Sequence, residues 1–238
     1  MAKHTDGRPR HQQIAAELRA AIMAGEMPLG SKLPTLIELQ AQFGVSLRTI
    51  QDATQVLKDE GVIQGERGQG VFVRARKPHV VKVAAYFIPS PDSYTYDILD
   101  VAEVHPSAEI AAALGLADDS ATLLRHRVTR HKGEPVELNW SYYPLDIARG
   151  TDLMHKKKIR GGAPRVLTDK GYPERRFVDR VSVRPPTTAE FIALEMPETA
   201  PVICQTRVVY SDDDRPVEVT VMAKAGHLYE LQYEQTVS

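Results

Sequence analysis

Part of this chain is echoed about eighty residues later. Residues 114–137 read LGLADDSATLLRHRVTRHKGEPVE, and residues 194–218 read LEMPETAPVICQTRVVYSDDDRPVE. Each copy has a leucine, an acidic loop, an apolar run holding Arg-Val, a polar turn and then Pro-Val-Glu. Arg127 matches Arg207 at an offset of 80, and Glu137 matches Glu218 at an offset of 81. The extra residue falls in the turn, where insertions are tolerated. Each copy therefore reads as a β-hairpin preceded by a short helix, over residues 107–114 in one case and 188–194 in the other. A unit of this kind used twice favours an antiparallel sheet with helices packed on it, an α+β arrangement. Other strands are expected over 82–88 and 174–184, with a helix over 163–170 that stops at Gly171.

Alternation along a strand assigns the faces. Arg125 and Arg127 share one side, and Leu124, His126 and Val128 the other. On the returning strand Glu137, Asn139 and Ser141 alternate with Val136, Leu138 and Trp140. One face thus collects two guanidinium groups, a carboxylate, an amide and a hydroxyl. Such a set can grip phosphate or carboxylate through the guanidinium fork. The plainer alternative is a wet face on which Arg127 and Glu137 form a cross-strand ion pair of small value.

Ahead of residue 78 the pattern is helical. Ile14, Leu18, Ala21 and Ile22 form one apolar stripe, and Gly25 can end that helix in a left-handed cap. Thr35 and Glu38 have the spacing of a capping box, opening a helix with Leu36, Leu39 and Phe43 inward. Gly44-Val45 turns the chain, Ser46 caps the next helix, and Ile50, Ala53 and Leu57 give that helix its buried side before Gly61 ends it. Two helices joined by a short glycine-containing turn form a helix-turn-helix, whose second helix enters the DNA major groove by its N-terminal end. The residues presented there are Leu47, Arg48, Thr49, Gln51 and Asp52. Arg pairs with guanine, Gln with adenine, and Leu or Thr can touch a thymine methyl. The Ser46 and Thr49 hydroxyls suit a phosphate. Two short strands follow, Val62-Ile63 and Val71-Phe72-Val73, around a tip of Gly65, Glu66, Arg67, Gly68, Gln69 and Gly70. Arg67 at such a tip is placed for a narrow minor groove. The alternative is a small packed domain with Arg48 and Gln51 merely solvated.

Charge agrees weakly with this division. Net charge is −1, yet residues 1–78 hold 11 Lys+Arg against 8 Asp+Glu, and the remainder 19 against 23. The single cysteine, Cys204, excludes an internal disulfide and fits a reducing cytoplasm. No stretch approaches a membrane span, and the N-terminus lacks the apolar core of a signal peptide. Lys156-Lys157-Lys158 reads as a solvated loop. The histidines are scattered without metal-ligand spacing, so neither a metal nor a cofactor is expected.

The run QIAAELRAAIMAGEMPLGSKLPTLIELQAQFGVSLRTIQDATQVLKDEGVIQGERGQGVFV resembles the winged helix-turn-helix domain of GntR-type transcriptional regulators. The match lies in I-A-x-x-L-R-x-x-I-x-x-G, P-x-G-x-x-L-P, F-G-V-S, L-x-x-x-G and G-x-G-x-F-V. The resemblance implies DNA contacts from Thr35, Ser46, Leu47, Arg48, Thr49, Gln51, Arg67, Gly68, Gln69 and Gly70. It also has departures. Thr35-Leu36 replaces the family's usual Ser-Glu, Leu47 stands where an Arg is habitual, and Gln51 where another Arg is common. The operator sequence therefore does not carry over.

Residues 81–235 resemble the UTRA effector-binding domain of the HutC branch of that family, on the strength of R-x-R, E-P-V-E and the block LEMPETAPVICQTRVVYSDDDRPVEV. The resemblance implies a fold similar to chorismate lyase and a small metabolite bound between sheet and helices. The matching effector-binding positions are Arg125, Arg127, Glu137 and Glu218, while Lys224 takes the place of a frequent tyrosine. The expected domains are 1–75 for the DNA-binding unit, 76–82 as a linker and 83–238 for effector binding and dimerisation.

The combined expectation is a dimeric repressor, not an enzyme, that binds an inverted-repeat operator in double-stranded DNA and answers to a small anionic metabolite. Its recognition helices would stand about 34 Å apart. Two other readings remain open: a DNA-binding protein whose second half only dimerises, and a lyase-like enzyme. Against the latter, no nucleophile–base pair or placed general acid is visible.

Overall fold

The computed structural model describes residues 6–74, 79–82 and 94–233, with the backbone alone for 79–82. The chain divides into two compact units, residues 1–77 with 197–199 and residues 78–196 with 200–238.

The first unit holds α1 (Arg10–Met23), α2 (Leu36–Phe43) and α3 (Leu47–Asp59), then β1 (Ile63–Glu66) and β2 (Gly70–Val73). The apolar stripes meet as their spacing predicts. Ile14 and Leu18 from α1, Leu39 from α2, and Ile50, Ala53 and Leu57 from α3 close one core with Ile63 and Val73. Truncating one of these buried leucines to alanine is worth about 2–5 kcal/mol. The Thr35–Glu38 capping box is present, with the Glu38 carboxylate accepting the Thr35 N–H at 2.7 Å. That N–H, with the Thr35 hydroxyl, holds the Glu38 carboxyl below its ordinary pKa. Gly44 ends α2 at φ 63°, a left-handed geometry that lets the chain turn at once into α3. Arg19 grips Glu60 through Nε and Nη2 at 2.8 and 2.5 Å, fastening α1 to the end of α3.

The second unit centres on a six-stranded antiparallel sheet. It is built from two similar runs. The first is β4 (Tyr94–Val104), α4 (Ala108–Ala113), β5 (Thr122–His131) and β6 (Glu134–Pro144). After α5 (Leu145–Ala148), a 3₁₀ turn (Asp152–Met154) and α6 (Gly162–Asp169), the second is β7 (Arg176–Arg184), α7 (Thr188–Ala193), β8 (Val202–Tyr210) and β9 (Pro216–Ala225). The sequence echo is thus a structural one: the strands lie in the order β4-β5-β6-β9-β8-β7, and β6 and β9 meet at the centre of the sheet.

One sheet face is apolar. Leu114 of the α4 run packs on Val208 and Val219, and Leu194 of the α7 run joins Val128, Leu138 and Val202. On the other face, α5, the 3₁₀ turn and α6 cover one end, where Leu123, Tyr143 and Val209 meet Ile147, Leu153 and Leu167.

Several elements were not expected, among them α5, the 3₁₀ turn and the strands named next. β4 was missed because its pairing with β5 shifts between Ile98 and Asp100, and a bulge of this kind breaks the two-residue period on which a strand reading rests. Residues 79–82, part of the expected linker, form β3 (His79–Lys82), which pairs in parallel with β10 (Tyr229–Gln232). Of the expected strand over 82–88, only residue 82 falls within the described residues. Among the described residues no helix is long and apolar enough to cross a membrane, and no group of three or more His, Cys, Asp or Glu could hold a metal ion.

Candidate functional site

In the first unit the residues singled out from sequence form two exposed edges. Ser46 caps α3 by accepting the Thr49 N–H at 3.2 Å, and the two hydroxyls bond each other at 2.8 Å. Leu47, Arg48 and Gln51 are exposed on the first turns of α3. The Arg48 side chain, 81% exposed, lies 3.0 Å from Asp52 one turn on, a surface pair of small stabilising value. Thr35 spends its hydroxyl on the α2 cap. Arg67, Gly68 and Gln69 form the exposed tip between β1 and β2, closed by the Gln69 N–H to the Glu66 carbonyl at 3.0 Å.

Sequence reasoning missed the third edge of this wing. Residues 30–33 run beside β2: Gly30 donates to Val73 O at 2.8 Å, Val73 to Ser31 O at 2.8 Å, and Leu33 to Val71 O at 2.7 Å. The Lys32 side chain crosses Gly70, whose φ is 123°. A Cβ built there would lie 2.6 Å from the Lys32 Cε. Gly70 therefore makes room for a lysine stem, placing an exposed ammonium beside the wing. The signal available in sequence was the lysine inside G-x-x-L-P.

In the second unit the polar face forms as alternation predicts, and pairing extends it across the sheet. Three rows run from strand to strand. One is Arg125, Ser141, Thr220, Arg207 and Asp179. The next is Arg127, Asn139, Met222, Gln205 and Val181. The third is Thr129, Glu137, Lys224, Ile203 and Val183. This face is not wet. Arg125, Glu137, Asn139, Ser141, Thr220, Lys224, Gln205 and Arg207 are all buried.

Most of these charges are satisfied within the fold. Arg125 donates from Nη1 to the carbonyls of Leu153 and of His155 (2.8 Å), and from Nη2 to that of Lys157 (3.0 Å). It braces the 153–157 backbone, whose lysine side chains are exposed. Burial lowers its pKa, although a guanidinium starts so high that it stays charged. Glu137 pairs with Lys224. Arg207 pairs with Asp179 through two bonds of 2.8 and 2.7 Å, its guanidinium over the Phe177 ring at 3.7 Å.

Between these pairs runs a hydrogen-bonded line. Arg127 Nη2 donates to Ser141 Oγ at 3.2 Å, Ser141 meets Thr220 Oγ1 at 2.6 Å, and Thr220 donates to Glu218 at 2.5 Å. Tyr143 is fully buried at the end of this line, its phenol turned toward Glu218 and Ser141 but short of hydrogen-bond geometry. Burial, then the Glu218 charge, raises its pKa well above the ordinary value. The Glu174 carboxyl is pushed up to about 7, by burial first and by Glu218 second, with Arg207 opposing. A cation, hydroxyls and a carboxylate held in line on a dry surface can bind a small polar molecule at both ends. The structure therefore brings Arg127 and Glu218 together through Ser141 and Thr220, and engages Arg125 and Glu137 elsewhere. Thr220, Asp179 and Gln205 were missed. Alternation in the second copy would have found Gln205 and Thr220, whereas Asp179 required the β7–β8 register.

Comparison with known proteins gives two family matches. Residues 10–73 match the bacterial regulatory proteins of the gntR family, and residues 91–230 match the UTRA domain. An uncharacterized HTH-type transcriptional regulator of Streptomyces coelicolor is 25% identical over 248 residues, 95% of this chain and 92% of the relative. The HTH-type transcriptional repressor NagR of Bacillus subtilis is 25% identical over 236 residues, 93% and 92% of the two chains. The crystal structure of PhnF from Mycobacterium smegmatis superimposes with a TM-score of 0.59 at 19% identity, over 94% of this chain and 100% of that one, a likeness of fold.

Proposed function

The chain belongs to the UTRA-bearing transcriptional regulators of the gntR family, and from that premise we propose that it is a homodimeric repressor released from an inverted-repeat operator by a small anionic metabolite. The observation that carries the sensor half is the line Arg127–Ser141–Thr220–Glu218, buried from Ser141 to Glu218 with Arg127 half-buried at its end. A half-buried guanidinium beside buried hydroxyls binds phosphate or carboxylate more strongly than it would in water. Arg127 takes the acid group and Glu218 a hydroxyl or amine at the far end. Arg125 acts through the loop it braces, and Glu137 through Lys224. The name of the B. subtilis relative supports the repressing sense.

On the DNA side, Arg48, Gln51 and Leu47 read bases, Ser46 and Thr49 meet phosphate at the start of α3, and the wing tip with Arg67 enters the neighbouring groove. Lys32 adds a phosphate contact. A ligand releases such a dimer only by binding more tightly to an arrangement whose two helices no longer match the operator spacing.

The test is binding of the purified protein to its own upstream region at fixed salt, with and without a panel of anionic metabolites. Release by one compound, lost in Arg127→Met while DNA binding persists, supports the reading. DNA binding that no compound alters favours a second unit that only dimerises. Lys32→Met should reduce the slope of log K against log salt by about 1, because one phosphate contact releases about one counterion. An unchanged slope removes Lys32 from the interface.

A further inference from the structure

The Gln205 side chain is 1% exposed, and neither its Nε2 nor its Oε1 has a hydrogen-bond partner among the described residues. It stands on β8 in the same row as Arg127, between Met222 and Val181, which offer it nothing polar. A buried amide loses its water on folding, and native proteins leave such a group unmet rarely and for a reason. The charges around it are matched: Arg207 is held by Asp179, and Lys224 by Glu137. This part of the face is therefore polar without being charged. Arg127 lies three strands away in the same row, about 14 Å between backbones at ordinary strand spacing, with both side chains on the same face.

We propose that Gln205 is the specificity residue of the effector site, reading an uncharged donor–acceptor group, a hydroxyl pair or an amide, on a metabolite whose acid group lies at Arg127. This deepens the sensor reading above and rests on it. The amide offers one donor face and one acceptor, so it selects a head that presents both. Among the described residues, the cations a second acid group would meet beside Gln205, Arg207 and Lys224, are already paired.

The proposal makes two predictions of opposite sign for Gln205→Met, a substitution of similar volume. Without ligand, the variant of the full-length protein should melt higher than wild type, because an unmet polar group has been replaced by an apolar one. Its discrimination should be lost. Three probes separate the cases in thermal-shift measurements: propyl phosphate, glycerol 3-phosphate and N-acetyl-O-phosphoethanolamine. Wild type should answer to all three, with at least one polar ester giving severalfold tighter binding than propyl phosphate. In Gln205→Met that advantage should vanish while the response to propyl phosphate stays. A lower melting temperature for the ligand-free variant would mean that the amide is structural, satisfied by water, and overturns the proposal. So does an advantage that survives the substitution, or no advantage in wild type. Absence of any response in wild type, or a full response in Arg127→Met, would instead overturn the anion reading on which this one rests.

Discussion

The β5–β6 and β8–β9 hairpins are the same design put to different use. Arg127 and Arg207 occupy matching positions, and each is faced by a residue of its outer strand, Ile98 for Arg127 and Asp179 for Arg207. Asp179 and Ile98 are themselves 81 residues apart. That one difference decides what each arginine can do. In the second hairpin a carboxylate holds the guanidinium in a bidentate pair over Phe177, so the charge is structural. In the first, an isoleucine leaves the guanidinium turned inward to Ser141. The carboxylates are arranged the other way round. Glu137 of the first hairpin is held by Lys224, while Glu218 of the second faces Tyr143 and Thr220. The duplication thus supplies two arginines and two glutamates on one face. The fold pairs Arg207 with Asp179 and Glu137 with Lys224, and sets Arg127 and Glu218 at the ends of one hydrogen-bonded line. A buried ion pair adds little net stability, but breaking it strands a charge, which makes the matched members structural.

The largest expected effect tests the matched side. Arg207→Met leaves Asp179 buried without its partner and should cost about 3–5 kcal/mol of unfolding free energy in urea titration. A loss under about 1 kcal/mol would erase the contrast between the hairpins. Arg125→Met comes next, at about 2–3 kcal/mol, since three carbonyls lose a charged donor but can turn to water. Trypsin should then cut faster within Lys156-Lys157-Lys158; an unchanged cleavage rate would mean that the loop is held by something else. Arg127→Met should cost only about 1 kcal/mol, because Ser141 keeps its bond to Thr220. A cost equal to that of Arg207→Met would make both arginines structural.

A further effect is electrostatic and is read against pH, beside Glu218 and Arg207. The folded protein keeps the Glu174 proton up to pH of about 7, whereas the unfolded chain releases it near 4.5. The folded state therefore binds more protons across this window, and stability falls as pH rises from about 4.5 to about 7, then stays lower. Glu174→Gln should remove that fall, raising the melting temperature at pH 8 and leaving it unchanged at pH 4. A gain at pH 4 as large as at pH 8 would show that the carboxyl does not titrate in this range.

Much of the architecture was legible beforehand because it rests on short-range repetition. The stripe Ile14, Leu18, the capping box at Thr35, and the turn at Gly44 follow from steric and hydrogen-bond rules acting within a few residues. The hairpins were legible for the same reason, and because the chain states them twice. β4 was not, since its bulge interrupts the period. Nor was the third edge of the wing, where Lys32 reaches Gly70 across 38 positions of sequence.

By itself the sequence determined which side chains share a face: Arg125, Arg127, Glu137, Asn139 and Ser141 were bound to stand together once two strands formed, because alternation is a property of the backbone. Tertiary structure alone decided what each one meets. That Arg125 goes to the 153–157 carbonyls, Glu137 to Lys224 and Arg207 to Asp179 depends on β6 lying beside β9 and β7 beside β8. Pairing of strands distant in sequence is chosen by the whole core at once, and a charge acquires its role only from the partner that pairing brings to it.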